Sequence, residues 1–246
     1  MIRYLSIVSL FIVTSCQVIN PFYDEGNDLE TSVDVEPFTI IETHNAFNIV
    51  LIQDNQSYIV YKGGETIFKE MSYSSNNHTL KLDYNYLNWA NNLKVPMLEI
   101  HCPSINQIDL YASGTLISRK QISGEQLNLN IHGESGVNEI ELKLGYNKIK
   151  FHSSGSVSGT IAFSGECPKA IYTLNGSINI QASELITQET TVAQNSLGDA
   201  HIYVENKLTA TFFKSGNIYY KGAPKEIEVN YVQINNQDAN GKLIKE

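Results

Sequence analysis

The turn Ala112-Ser113-Gly114 opens a series of glycine-centred turns in residues 111–218. The later copies are Glu134-Ser135-Gly136, Ser153-Ser154-Gly155, Leu174-Asn175-Gly176, Ser196-Leu197-Gly198 and Lys214-Ser215-Gly216. The glycines thus recur at a nearly fixed interval along the chain. Most copies are followed by an alternating apolar run, such as Val137-Asn138-Glu139-Ile140-Glu141-Leu142. A period near twenty residues is typical of a solenoid.

The alternating runs on both sides of each turn predict short strands with one apolar face. One such unit cannot bury its apolar face alone, so we expect the units to stack as parallel coils around one core. Glycine at the corner permits a sharp change of direction without a Cβ clash. We therefore predict an all-β, parallel β-helix-like solenoid with about 18–22 residues per coil. A β-sandwich or a propeller is the rival geometry, although propeller blades need about 40 residues.

The segments before the repeats also read as strands. Alternating or continuous β patterns cover 38–53, 58–61, 79–84 and 95–101, and 65–71 reads as a short helix or an irregular segment. We expect residues 38–105 to cover one end of the solenoid and residues 106–235 to form its repeats. Residues 236–246 read as a polar tail.

The composition argues against a nucleic-acid-binding protein. The chain has 17 basic and 26 acidic residues, and its formal net charge is −9. No basic patch of the kind that binds phosphates is visible in the sequence. An acidic surface of this kind favours solubility.

The segment 1–15 reads as a lipoprotein signal peptide. Arg3 precedes a short apolar stretch that ends in Val13-Thr14-Ser15-Cys16, and this ending resembles a bacterial lipobox. The resemblance implies cleavage before Cys16 and lipidation of its thiol, which would anchor the chain to a membrane. An ordinary secretory signal with an incidental cysteine is the alternative. Residues 16–37 read as a tether, and the expected location is the cell envelope, at the outer membrane, with its facing undetermined.

Several motifs in fixed order resemble one known family. They are Phe38-Thr39-Ile40, Phe47-Asn48-Ile49-Val50-Leu51, Val95-Pro96-Met97-Leu98-Glu99-Ile100, Cys102-Pro103-Ser104-Ile105, the Ser-Gly turns, and the closing Tyr220-Lys221-Gly222-Ala223-Pro224. Their order and spacing resemble the "putative auto-transporter adhesin, head GIN domain" family of Bacteroidetes lipoproteins. The resemblance implies a right-handed parallel β-helix-like fold. It also carries the label of adhesin, which defines no ligand.

The residues that could carry chemistry form no convincing site. His132 and His152 lie beside consecutive turns and, with Glu134, could hold a metal, but no further ligand recurs at a fixed offset, so we expect none. Cys102 and Cys167 could form a disulfide, but about three coils separate them, roughly 14 Å. We therefore expect two separate thiols.

The loop before the repeats is the better candidate for a ligand contact, because it holds Tyr84, Tyr86 and Trp89, which could stack on a glycan. No pair of carboxylates recurs on neighbouring coils, so we expect neither an enzyme nor a cofactor. The sequence thus predicts a non-catalytic binding or structural module with an unidentified glycan or protein ligand. The alternative is a carbohydrate-binding or carbohydrate-active protein of the periplasm or cell surface.

Overall fold

The structure is a computed structural model that describes residues 25–85, 94–133, 136–233 and 239–246. Nearly all of its regular structure is strand, and one short helix, α1, covers Glu65–Glu70. The strands are β1 Asp28–Asp34, β2 Ile40–Thr43, β3 Phe47–Gln53, β4 Tyr58–Gly64, β5 Met71–Asn76, β6 Thr79–Tyr84, β7 Met97–Cys102, β8 Gln107–Leu110, β9 Gly114–Ser118, β10 Ile122–Ile131, β11 Gly136–Ser153, β12 Val157–Glu166, β13 Lys169–Ser196, β14 Ala200–Phe212, β15 Ile218–Lys221, β16 Glu226–Tyr231 and β17 Leu243–Lys245. Within the described ranges, no helix is long and apolar enough to cross a membrane.

The strands stack into a β-solenoid of about six turns. We call its two long sides face A and face B. Face A runs through β6, β2, β8, β10, the end of β11, β13, the end of β14 and β16. Face B runs through β7, β3, β9, the start of β11, β12, β13, β14, β15 and β17. The long strands β11, β13 and β14 bend from one face to the other, so all of the strands belong to one continuous sheet.

The coil length matches the predicted period. In face A, Leu129 pairs with Phe151, and Phe151 pairs with Tyr172 on the next coil. Further along the chain, Thr190 pairs with Leu208, which is a slightly shorter step. The predicted length of about 18–22 residues per coil is therefore confirmed.

The core is a set of side-chain columns that run along the solenoid. Strand residues alternate between buried and accessible positions, as the period of two requires. Among the buried rings, Phe163 contacts Phe151 and Tyr172, with both centroid distances at 6.3 Å. The Tyr146 hydroxyl donates a hydrogen bond to the Ile105 carbonyl at 2.9 Å. The buried Tyr172 hydroxyl has no hydrogen-bond partner among the described residues.

The corner glycines are needed mainly because neighbouring coils approach closely. A Cβ added at Gly176 would lie 2.2 Å from the Val157 carbonyl oxygen of the preceding coil, and one at Gly216 would lie 2.2 Å from the Gly198 carbonyl oxygen. Among the six repeated corner glycines, only Gly155 and Gly176 also have a positive φ, at +79° and +75°. Close backbone approach is therefore the more general reason for the repeat.

The structure extends the folded unit beyond the predicted boundaries. The predicted tether, 16–37, contains β1, which pairs antiparallel with β4. The predicted cap, 38–105, contributes strands to the coils themselves, because β2 and β3 pair in parallel with β8 and β9. The predicted polar tail, 236–246, contains β17, which pairs with β15. The end layer consists instead of β1, β4, β5 and α1.

Candidate functional site

Of the three aromatic residues proposed from the sequence, Tyr84 is the one that lies within the described ranges. Its ring packs edge-on against Phe47, with a centroid distance of 5.2 Å, and its hydroxyl donates to the Ala46 carbonyl at 3.1 Å. Burial raises the pKa of this hydroxyl. Tyr84 is thus engaged in packing, whereas Tyr86 and Trp89 lie outside the described residues. Their role in ligand contact stays a prediction.

A ladder of three stacked rings lies where face A strands end. Tyr111 is sandwiched between His44 and His132, with centroid distances of 4.8 Å and 4.5 Å. Each ring comes directly after a strand, and those strands are in register, so the rings meet on successive coils. Because the rings cover one another, the faces of Tyr111 are not free to stack on a sugar. The sequence alone did not predict this ladder, since it depends on register.

Two carboxylates support the ring ladder. Asp109 accepts hydrogen bonds from the Asn130 amide at 2.8 Å and from Gln107 at 2.6 Å, and it lies 3.2 Å from His132 Nε2. Glu42 is hydrogen-bonded to His44 and lies 3.2 Å from Lys81 Nζ. The hydrogen bond from His44, with a further contribution from Lys81, lowers the pKa of Glu42. These acids are satisfied by their neighbours, which indicates a structural role.

The two histidines weighed as metal ligands do not converge. His152 lies opposite Asn130 on the neighbouring coil and not opposite His132. The His132 ring stacks on Tyr111 and lies 3.2 Å from the Asp109 carboxylate. Glu134 lies outside the described residues. Over the described ranges, no group of three or more His, Cys, Asp or Glu side chains could hold a metal ion.

The candidate binding surface is a shallow groove on the outside of face B. It consists of two adjoining depressions of about 270 Å³ and 360 Å³, which share Glu141 and Ala162. Parallel register places Ile117, Glu141, Ala162 and Gln181 side by side in one outward column. The small side chain of Ala162 between two longer ones produces the depression. The other lining residues include Thr115, Glu139, Thr160, Ser164, Ser183 and Glu184.

The groove combines acidic and other polar side chains with an apolar surface that includes Ile117 and Ala162. Glu139, Glu141 and Glu184 form no ion pair with any described residue. Carboxylate, amide and hydroxyl groups can accept and donate hydrogen bonds to a polar ligand. Phe163 is the one aromatic residue in the described lining, and it is only 2% exposed. The groove therefore suits hydrogen bonding along several coils more than ring stacking.

Comparison with known proteins identifies a family that matches most of the chain. The family described as "Putative auto-transporter adhesin, head GIN domain" matches residues 37–224. The chain belongs to this family. The resemblance drawn from its motifs is thereby confirmed. None of the curated proteins compared with the chain matches it.

Solved structures share the fold of this head GIN domain protein. A "putative adhesin" from Bacteroides fragilis has a TM-score of 0.79 and 19% identity, and the match covers 89% of this chain and 97% of that one. A "Putative lipid binding protein" from Parabacteroides distasonis has a TM-score of 0.59 and 18% identity, covering 90% and 97%. A "putative adhesin" from the same species has a TM-score of 0.62 and 15% identity, covering 90% and 98%. At these identities, the likeness shows the fold alone.

The two described thiols of this head GIN domain protein are separate, as predicted. Cys102 and Cys167 are both free and buried. Burial raises the pKa of Cys102 to about 12 and that of Cys167 to about 11. Because the thiolate is the nucleophilic form, neither residue is suited to nucleophilic catalysis near neutral pH. The third cysteine, Cys16, lies outside the described residues.

Proposed function

We propose that this head GIN domain protein is a non-catalytic binding protein of the cell envelope, anchored through a lipid on Cys16. The face B groove carries the proposal. It offers acceptors and donors on a rigid sheet and spans several coils, which suits recognition of an extended polar ligand. The ligand is a surface glycan or a protein. The adhesin names of the family and of the similar structures support this class of function.

The carbohydrate-active alternative has less support. It predicts convergent acids together with exposed aromatic rings along one face. The described lining of the groove supplies three glutamates, Glu139, Glu141 and Glu184, but no exposed ring. We therefore favour binding over hydrolysis or elimination.

The binding proposal is tested by filling the groove. Ala162→Arg places a long side chain where both depressions meet, while Thr209→Arg makes the same change at a half-buried outward position of face A. The wild-type chain and both variants are screened on glycan arrays and on immobilised matrix and envelope proteins. We expect at least one ligand that binds the wild type and Thr209→Arg but not Ala162→Arg. Failure of the wild type to bind in every screen would remove the support for adhesion, and equal binding by both variants would place the site elsewhere.

The anchoring proposal has a separate test. Cys16→Ser should move the protein from the membrane fraction to the soluble fraction and abolish incorporation of radiolabelled palmitate. Protease treatment of intact cells then distinguishes the two facings, because only a surface-exposed protein is cleaved. Unchanged membrane association of the Cys16→Ser variant would contradict lipid anchoring.

A further inference from the structure

The C-terminal end of face A finishes in an edge strand, β16. It pairs in parallel with β14 on one side, where Leu208 lies opposite Ile227 and Phe212 lies opposite Tyr231. Its other side has no strand partner in the part of the chain that the structure describes. Such an edge presents a row of backbone N–H and C=O groups that can pair with another strand.

The inward side of β16 leaves three core columns uncovered. Ile227, Val229 and Tyr231 continue the columns of Leu208, Ala210 and Phe212. Leu208, Ala210 and Phe212 are fully buried, whereas Ile227, Val229 and Tyr231 are 42%, 39% and 57% exposed. One more strand with apolar residues at its inward positions would cover them.

The opposite end of the solenoid is finished differently. There, β1 pairs antiparallel with β4, and its outward residues include Asp28, Glu30 and Asp34. On face A of that end, β5 carries Ser72, Ser74 and Asn76, and Tyr73 is its one exposed large apolar residue. Charged and polar edge strands discourage further pairing. A run of three exposed large apolar residues at alternating positions is therefore found on β16 and not on β1 or β5.

The charges beside β16 indicate what kind of strand would fit. On the outside of face A, Lys169 pairs with Glu189 at 3.1 Å, and Lys207 pairs with Glu226 at 2.6 Å. Glu189, Lys207 and Glu226 are consecutive in register, so the sign of the charge alternates over these last coils. Glu226 and Glu228 would thus face the outward positions of any added strand. Opposite charges are favoured at such cross-strand positions.

We propose that β16 is a docking edge for an extended segment of a partner protein in which basic and apolar residues alternate. The segment adds as the next strand of face A. Its Lys or Arg side chains lie beside Glu226 and Glu228, and its apolar side chains cover Ile227, Val229 and Tyr231. This surface is separate from the face B groove.

Two labelled peptides test the proposal on the full chain by fluorescence anisotropy. The first is Thr-Lys-Val-Lys-Val-Lys-Val-Thr, and the second has Glu in place of each Lys. We expect the lysine peptide alone to bind, with a Kd in the micromolar range. Glu228→Lys should weaken that binding about tenfold and allow the glutamate peptide to bind. Glu70→Lys, the same charge change on α1 at the opposite end of the solenoid, should have no effect.

Each alternative result has a defined meaning. Equal loss of binding in the Glu70→Lys and Glu228→Lys variants would overturn the proposal, because net charge would then explain the attraction. Binding of neither peptide, or of both equally, would also overturn it. Sedimentation could instead show dimers that form with increasing concentration and that Glu228→Lys disrupts. That result would overturn the partner-segment proposal, because a second copy of the chain would then occupy this edge. If Glu228→Lys does not melt like the wild type, Val229→Asp serves as the second variant, because it places a charge in an inward column. Val229→Asp should abolish binding of the lysine peptide. Unchanged binding of the lysine peptide by Val229→Asp would refute the docking edge.

Discussion

Replacing Gly176 with alanine tests why the corner glycine recurs. Gly176 has a φ of +75°, and its added Cβ would lie 2.2 Å from the Val157 carbonyl oxygen and 3.0 Å from the Val157 nitrogen. Neither backbone atom can rotate away as a side-chain atom could. The substitution therefore forces the two coils apart or moves the corner.

Two costs contribute to the expected loss of stability. A non-glycine residue in the left-handed region costs about 1–2 kcal/mol. Relieving a clash by shifting packed backbone costs a further 1–3 kcal/mol, roughly as overpacking does. We therefore expect Gly176→Ala to lower the free energy of unfolding by about 2–5 kcal/mol.

Gly136→Ala provides a matched control at another corner. Gly136 has no φ in the left-handed region, and its added Cβ would first meet the Ser113 hydroxyl at 3.1 Å, which can rotate. We expect this variant to lose no more than about 0.5 kcal/mol. Urea unfolding followed by far-ultraviolet circular dichroism measures both values. Equal losses in the two variants, or a Gly176→Ala midpoint equal to that of the wild type, would refute the close-approach argument.

Three further predictions concern buried or paired side chains. In urea unfolding, Tyr146→Phe should lower the free energy of unfolding by about 1–2 kcal/mol, because it leaves the buried Ile105 carbonyl unpaired. Tyr172→Phe should leave the free energy of unfolding unchanged or raise it, because the buried Tyr172 hydroxyl has no partner among the described residues. Cys102 and Cys167 should react with Ellman's reagent at pH 8 only after unfolding, since burial raises the pKa of each thiol well above 8. Glu42→Gln should lower the free energy of unfolding at neutral pH, because the pKa of Glu42 is lowered in the folded state. The difference in urea midpoint from the wild type should begin to shrink as the pH falls below the ordinary carboxyl value of 4.5, and it should vanish only below the lowered pKa of the folded state.

Each of these predictions has a contradicting result. Equal losses for the two tyrosine variants would show that the hydrogen bond does not distinguish them. Release of the coloured thiol product by the folded Cys16→Ser variant would show that the buried thiols are accessible. If the difference in urea midpoint between the wild type and Glu42→Gln grew as the pH fell, the direction assigned to the pKa shift of Glu42 would be wrong.

The sequence predicted the repeat well because the repeat is local. The alternation is visible within a single unit and the glycine spacing between neighbouring units, and both follow from the coil geometry. The boundaries were less visible. Strand β1 is held by antiparallel pairing with β4, a strand well removed from it along the chain, and β17 is very short. Neither feature carries the repeat period.

The groove could not be predicted from the sequence for a related reason. Glu139 and Glu141 face solvent, since they alternate with buried residues. The depression, however, arises because Ala162 lies between Glu141 and Gln181 in the stack. That placement depends on the register between three successive coils. A one-residue slip of that register would place a different side chain there and turn the residues of the shifted strand to the other face.

Because inward and outward columns are separate, the proposed groove and the docking edge should be independent. Coil stacking fixes the strand spacing of about 4.8 Å but leaves the outward side chains free to vary. Ala162 is on face B, whereas Glu228 is on the terminal strand of face A. Ala162→Arg should therefore leave lysine-peptide binding unchanged, and Glu228→Lys should leave binding of the groove ligand unchanged. Measuring both ligands on both variants checks this, since distant sites add independently. Loss of both activities in one variant would mean that the substitution disturbs the shared core.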